Sequence, residues 1–331
     1  MDFLAADSLP WLQSAQQRLR AAMAAGRLPH SLLLLSVPGL GAEQLAQWTT
    51  ALALCESAGL RPCGVCASCQ LLRSDSHPDS YAVRLEEDAR QIKVDQVRSL
   101  IESLALKSYR GGYKVGVIEG AEALNANGAN AFLKTLEEPT ADTLLVMIAR
   151  PSHRLPATIG SRCLRLTLSA PPAAVAIPWL LARSTHGGGT AKSWEAELTL
   201  AGGAPLLALE LEGENVAALD ADMQESMRQL AAGAVDVSLL ADRWLQFSPG
   251  LRIAWLENWI TRRVHASLVA ATSHQSAEPV RLPGALLKPK IRALFELLDA
   301  ARELRRLAST GMNQQLALEA LLLGGRTALA D

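Results

Sequence analysis

Four of the five cysteines, Cys55, Cys63, Cys66 and Cys69, fall together at spacings of x7, x2 and x2, while Cys163 stands far from them. In a reducing compartment such clustering points to metal rather than to disulfides. An x2 spacing lets backbone N–H groups turn toward the sulfurs, and Zn²⁺ takes four such thiolates in a tetrahedron. Four protein ligands leave no open position, so the chemistry implied is structural zinc rather than catalysis. Two other readings use the same residues. An iron–sulfur cluster would continue the bacterial pattern as C-x3-C-P, which this chain does not, and free reactive thiols would need no metal. His77 could replace Cys55 as a ligand, although a turn residue before Pro78 is the simpler reading.

A second stretch has the outline of a phosphate-binding loop. Leu32 to Leu35 read as a short buried strand, Pro38, Gly39 and Gly41 as a tight turn, and Glu43 onward as a helix. Laid on G-x-x-x-x-G-K-[ST], the first Gly is Ser36, the Lys is Ala42 and the Ser/Thr is Glu43, so that only Gly41 matches. The cation for the phosphates and the hydroxyl for Mg²⁺ are both missing. Glu43 would sit in the first helical turn, where free N–H groups and the helix dipole otherwise favour phosphate, and its carboxylate repels a nucleotide. A strand, turn and helix with no nucleotide history explains this stretch alone equally well. A second apolar strand, Lys114 to Ile118, ends in Glu119-Gly120, where ATPases of this loop type carry a Mg²⁺-binding Asp and often a Glu beside it. Without a Lys or hydroxyl to work with, Glu119 reads as an ordinary strand-end carboxylate.

These residues must be positioned by a chain of 331 residues, too long for one core and suited to two or three domains. A chain 49% hydrophobic, 20% charged and rich in Ala and Leu is that of a mostly helical globular protein. The formal net charge of -1 gives no global footprint for nucleic acid, so any DNA contact is local or made by a larger assembly. The N-terminus lacks a basic region followed by an apolar run, and no apolar stretch is long enough to span a membrane; the expectation is a cytoplasmic protein with no membrane partner.

Helical spacing predicts amphipathic helices at 8–26, 43–55, 92–106 and 127–138, with a third apolar strand from Leu144 to Ile148. Residues 56–80 read as a loop-rich insertion that needs a staple. Residues 150–163 read as a basic turn and short helix, Arg150, His153, Arg154 and Arg162 among them. Alternating strands and helices imply a mostly parallel α/β sheet covered on both faces. Beyond Pro171-Pro172 the chain turns to Ala/Leu-rich helix. Thr185 to Gly189 and residues 271–289 read as loops, and Leu198 to Leu211 as a helix-turn-helix connection. Ile291, Leu294, Phe295 and Leu298 form one stripe, and Gln315 to Leu323, apolar almost all round, reads as buried on both sides. Lys134, Glu137 and Glu138 suit a solvated face with an i,i+4 pair, and Cys163 a small buried residue.

The string Ala129-Asn-Ala-Phe-Leu-Lys134-Thr-Leu-Glu-Glu-Pro139, followed by Ser161-Arg162-Cys163, resembles the AAA+ ATPase module of bacterial DNA polymerase III clamp loaders. The cysteine cluster after the first helix of the module and the long helical C-terminus resemble the same family. The resemblance implies an α/β AAA+-type module over 1–170 with a zinc insertion at about 55–80, a small helical lid over 171–212 and a helical collar over 213–331. The ruined loop fits a non-hydrolysing ring member, without ATP of its own, rather than the ATP-hydrolysing gamma/tau subunit. Partners implied are the gamma/tau ATPase subunits and the delta subunit, with the sliding clamp and primed DNA reached through the assembly. Arg162 would then be a trans arginine finger, its planar guanidinium spreading charge over γ-phosphate oxygens in a neighbouring chain's site. Paired instead with a local carboxylate or carbonyl, it would be an ordinary surface arginine. Two further classes stay open: an ATP-hydrolysing clamp-loader-type ATPase in its own right, and a zinc-dependent nucleic-acid-binding protein.

Overall fold

The computed structural model describes residues 3–86, 89, 91–151, 155–184, 191–272, 289–307 and 313–329. The expected loop at 185–189, residues 273–288 of the one expected at 271–289, and His153 and Arg154 lie outside the described residues; 271, 272 and 289 are helical rather than loop. The chain divides into two compact units, Met1–Ala176 with Ala204–Leu207, and Ile177–Gly203 with Ala208–Asp331.

The first unit is built on five parallel strands: β1 (Ser31–Leu35), β2 (Ser80–Val83), β3 (Lys114–Glu119), β4 (Thr143–Ala149) and β5 (Leu164–Thr167), in the order β2-β3-β4-β1-β5. Its helices are α1 (Gln13–Ala24), α2 (Ala42–Leu54), α3 (Ala67–Arg73), α4 (Val94–Ala105), α5 (Ala126–Glu137) and α6 (Ala157–Gly160). In the central strand β4, alternate side chains serve opposite faces. Leu145 and Met147 join Leu33, Ile118, Val97, Leu100, Leu104, Phe132 and Leu136 in one core beneath α4 and α5. On the other face α2 packs against β1, β3 and β4. Both faces are covered, which is why the central strands read as unbroken apolar runs.

Two strands lie beyond what apolar runs reveal. β2 and β5 form the sheet edges, and most of their side chains are partly or fully exposed. The cysteine insertion also carries a helix, α3, where only loop was expected. The predicted helix at 8–26 is a short 3-10 turn, Pro10–Leu12, running into α1.

Beyond β5 follow α7 (Ala173–Leu181), α8 (Ala191–Leu200), α9 (Pro205–Glu210), α10 (Val216–Ala231), α11 (Val237–Gln246), α12 (Pro249–Thr272), α13 (Pro289–Leu307) and α14 (Gln314–Leu329), of which α8 and α10 to α14 lie in the second unit. Glu257 on α12 accepts ion pairs from Arg302 (3.4 Å) and Arg305 (2.9 Å) on α13, tying the two longest helices. Two expectations are corrected here. Phe295 is 36% exposed, and Leu297 rather than Phe295 completes the buried stripe with Ile291, Leu294 and Leu298. α14 is one-sided: Leu318, Leu321 and Leu322 are buried while Leu316 and Leu323 are 64% and 51% exposed. Among the described residues no helix is long and apolar enough to cross a membrane.

Candidate functional site

Three corners of the first unit hold the residues singled out above. The first is the turn after β1. Gly39 and Gly41 take φ of +80° and +88°, values that side chains rarely adopt, so the turn depends on both glycines. Ser36 is buried and its hydroxyl donates to the Val37 carbonyl at 2.8 Å, turned in on its own loop. Gly41 is the N-cap of α2, followed by the buried Ala42 and the exposed Glu43. Protein lies against the loop on two sides. A Cβ on Gly41 would come within 2.7 Å of a Leu9 methyl, and one on Gly39 within 2.7 Å of the Leu207 Cβ. Trp11 Nε1 donates to the Leu40 carbonyl at 2.9 Å, and the Leu206 amide donates to the Gly39 carbonyl at 3.1 Å. The N-terminal turn that supplies Leu9 and Trp11 is itself fixed on α2: Asp7 accepts from Trp48 Nε1 at 3.0 Å, and the Arg20 guanidinium stacks 4.8 Å from the Trp48 ring. Glu119, at the end of β3, pairs with Arg84 at 2.9 Å. It has the ordinary strand-end role.

The second corner is the cysteine cluster. Cys55 caps the C-terminus of α2, Cys66 is the N-cap of α3, Cys69 lies in its first turn and Cys63 comes from the loop between. All four Sγ atoms lie within 4.8 Å of one another. Two of the Sγ–Sγ distances, Cys55 to Cys66 and Cys63 to Cys69, are 3.9 Å. A tetrahedron with Zn–S bonds of about 2.3 Å requires edges of about 3.8 Å, so the set is sized for such an ion. Backbone N–H groups of Cys66 and Cys69 point at Sγ of Cys63 and Cys66 at 3.3 and 3.5 Å, the arrangement expected of x2 spacing, and the Cys63 N–H reaches Cys55 Sγ at 3.4 Å across the longer loop. Burial pushes the Cys55 and Cys69 thiols up, whereas N–H donation from Val65 and Cys66 draws Cys63 down to about 6.

His77 stands outside this set. Its Nε2 meets Ser68 Oγ at 3.1 Å and its Nδ1 accepts from the Asp79 amide at 3.1 Å. Ser68 donates to Glu56 at 3.0 Å, Glu56 also accepts from Arg110 at 2.7 Å, and the buried Asp79 accepts from Ser108 Oγ and the amides of Tyr109 and Arg110. This chain of bonds ties the insertion to the sheet. Burial holds the His77 ring below its ordinary 6.5, with Asp79 and Glu56 opposing and Arg110 reinforcing.

The third corner precedes β5. Ser31 on β1 donates to the Arg162 carbonyl at 2.7 Å, which anchors the main chain beside α6. The Arg162 guanidinium donates through Nη1 to Thr158 O (2.9 Å) and Ser161 Oγ (3.3 Å) and through Nη2 to Glu137 at the end of α5. Glu137 thus belongs to an ion pair across two elements, a correction to its reading as a plain solvated face, and Arg162 has the local carboxylate and carbonyl partners expected of an ordinary surface arginine. Only a contact distant in sequence reveals it. Cys163 is partly buried against the core, and burial raises its thiol. Arg150 pairs with Glu122 at 3.4 Å, and Arg165 Nε donates to the Gly160 carbonyl at 2.9 Å.

A five-stranded parallel sheet flanked by helices, with a loop-to-helix turn after a central strand and a cysteine insertion behind that helix, defines an AAA+-type α/β module with a helical C-terminal part. A family model described as DNA polymerase III, delta subunit, matches residues 11–172. The DNA polymerase III subunit delta' of Pseudomonas aeruginosa is 35% identical over 326 residues, 96% of this chain and 97% of its own. That of Escherichia coli K12 is 32% identical over 319 residues, 95% of this chain and 94% of its own. The tau subunit of Salmonella typhimurium is 32% identical over 146 residues, 44% of this chain and 22% of its own. The chain belongs to the DNA polymerase III delta' subunit family.

Proposed function

We propose that the chain is a non-hydrolysing member of the DNA polymerase III clamp loader, working in the cytoplasm within a ring that includes gamma/tau ATPase subunits and the delta subunit. Through that assembly it takes part in placing the sliding clamp on primed DNA. Its own loop binds no ATP, and its contribution to hydrolysis is Arg162, presented to the nucleotide of a neighbouring chain. The module over 1–170, a helical lid over 171–212 and a collar over 213–331 would be the working parts, with Zn²⁺ on Cys55, Cys63, Cys66 and Cys69 as a structural staple.

The observation that carries this reading is the contrast within one sheet. The loop after β1 lacks its Lys and hydroxyl and has Leu9, Ala204 and Leu207 packed against its glycines, while Arg162 keeps 34% of its side chain exposed. A guanidinium has five N–H donors. Among the described residues Arg162 uses three, which leaves two for an incoming phosphate. The test is a reconstituted ring carrying Arg162→Ala. ATP turnover is expected to fall on the order of 10³-fold with the ring intact on a sizing column, the scale of a trans arginine. Unchanged turnover in an intact ring would sink the finger.

A further inference from the structure

Glu137 is in an unexpected place for its charge. It is the last residue of α5, where the partial negative charge of the helix end disfavours a carboxylate. It also gains little as a surface ion pair, since its side chain is 51% exposed and such pairs add little stability. Nothing in the stability of α5 accounts for an acid there. Among the described residues its ion-pair partner is Arg162, whose guanidinium is gripped from three points: Thr158 O on α6, Ser161 Oγ beyond it and the Glu137 carboxylate from the neighbouring helix. The main chain at Arg162 is held independently by Ser31 on β1. A long, flexible arginine is thereby fixed at both its root and its tip.

We propose that Glu137 is the positioning residue for Arg162: it holds the guanidinium in one orientation and leaves two N–H donors for a phosphoryl group on a neighbouring chain. This rests on the reading of Arg162 as a trans finger. Physically, the carboxylate removes rotamer freedom before the phosphate arrives, so less orientational entropy is lost in the transition state. A charged partner does this better than a neutral one, because a charge-assisted bond to guanidinium is stronger and more directional. Glu138 is adjacent, exposed and of the same charge, and serves as an internal control.

The test uses the full ring with Glu137→Gln, Arg162→Ala, the double substitution and Glu138→Gln, each checked for assembly on a sizing column. Glu137→Gln is expected to lower kcat for ATP about tenfold with KM little changed. It should add nothing in the Arg162→Ala background, and Glu138→Gln should match the unaltered ring. Glu137→Asp, which keeps the charge but shortens the reach, is expected to lose less than Glu137→Gln, and it carries the same test if the Gln variant weakens assembly. Normal turnover with Glu137→Gln, beside a large loss with Arg162→Ala, overturns the positioning role and leaves the finger standing. An equal loss in both backgrounds, or a rise in turnover, also overturns it. A silent Arg162→Ala in an intact ring removes the finger and this role together.

Discussion

The two ends of α2 are comparable places, each a helix terminus joined to a short loop, and their surroundings are opposite in kind. At the N-terminal end the loop has neither the Lys nor the hydroxyl of the phosphate-loop pattern, and Leu9, Leu12, Ala204 and Leu207 lie against its glycines. At the C-terminal end four sulfurs converge to within 4.8 Å of one another. In a ligand site out of use, neighbours would fill the space and polar atoms would turn inward, as the Ser36 hydroxyl does here. In one that is kept, costly groups of like character would stay aimed at one point, as four sulfurs do here. Four thiols crowded together gain little from one another, whereas a bound cation favours all four as thiolates.

The largest effect should come from breaking the kept end. Cys66→Ser or Cys69→Ser, or treatment with a strong chelator, is expected to remove about one Zn²⁺ per chain and to release the insertion, since structural zinc contributes roughly 10–16 kcal/mol of apparent binding free energy. Metal analysis together with hydrogen exchange over residues 55–80 would read it. Iron in place of zinc, or an unchanged exchange pattern, would erase the contrast between the two ends.

Breaking the filled end should cost less. At φ of +80° an Ala in place of Gly39 is strained, and its Cβ would meet Leu207 Cβ and backbone N at 2.7 and 2.8 Å. Gly39→Ala is expected to destabilise the first unit by about 2–4 kcal/mol, strain and overpacking combined. A thermal melt of the full chain tests this. An unaltered melting temperature would mean that the loop stands open rather than filled.

The smallest effect is a pH dependence at the cysteine end. Burial holds the folded-state pKa of His77 below its ordinary 6.5, so between those values the unfolded chain binds more protons than the folded one. The contribution is therefore complete above pH 6.5 and is lost as pH falls through and below it. Stability of the insertion, followed by exchange, should decline in that window, and His77→Gln should flatten the decline. An identical pH profile in the variant would show that acid acts there on the thiolates alone.

The legible parts of this molecule are those where one physical requirement repeats along the chain. β1, β3 and β4 are buried on both faces and announce themselves as apolar runs; β2 and β5 are edges with little buried surface, so no run marks them. α3 is seven residues long and is held by Cys66 and Cys69 rather than by an apolar face, so periodicity has nothing to report. The exposed Leu316 and Leu323 show the reverse case, apolar residues left more than half open within the described chain. At the sites, cysteine spacing and the missing Lys of the loop are local facts and could be read directly. The pairing of Glu137 with Arg162, and the filling of the loop by Leu9 and Leu207, join residues far apart in sequence, and only the fold brings them together.

β1 carries Ser31, which holds the Arg162 main chain, at one end, and at the other runs into Ser36 and the filled loop. It is hydrogen-bonded along both edges, to β4 and to β5. At about 3.3 Å per residue such a strand is a stiff ruler of fixed length. The distance between the filled corner and the arginine corner is thus set by backbone, not by side chains that can change rotamer. A rotamer change at either corner therefore leaves the main-chain spacing between them as it is; only a change in the strand itself would alter it.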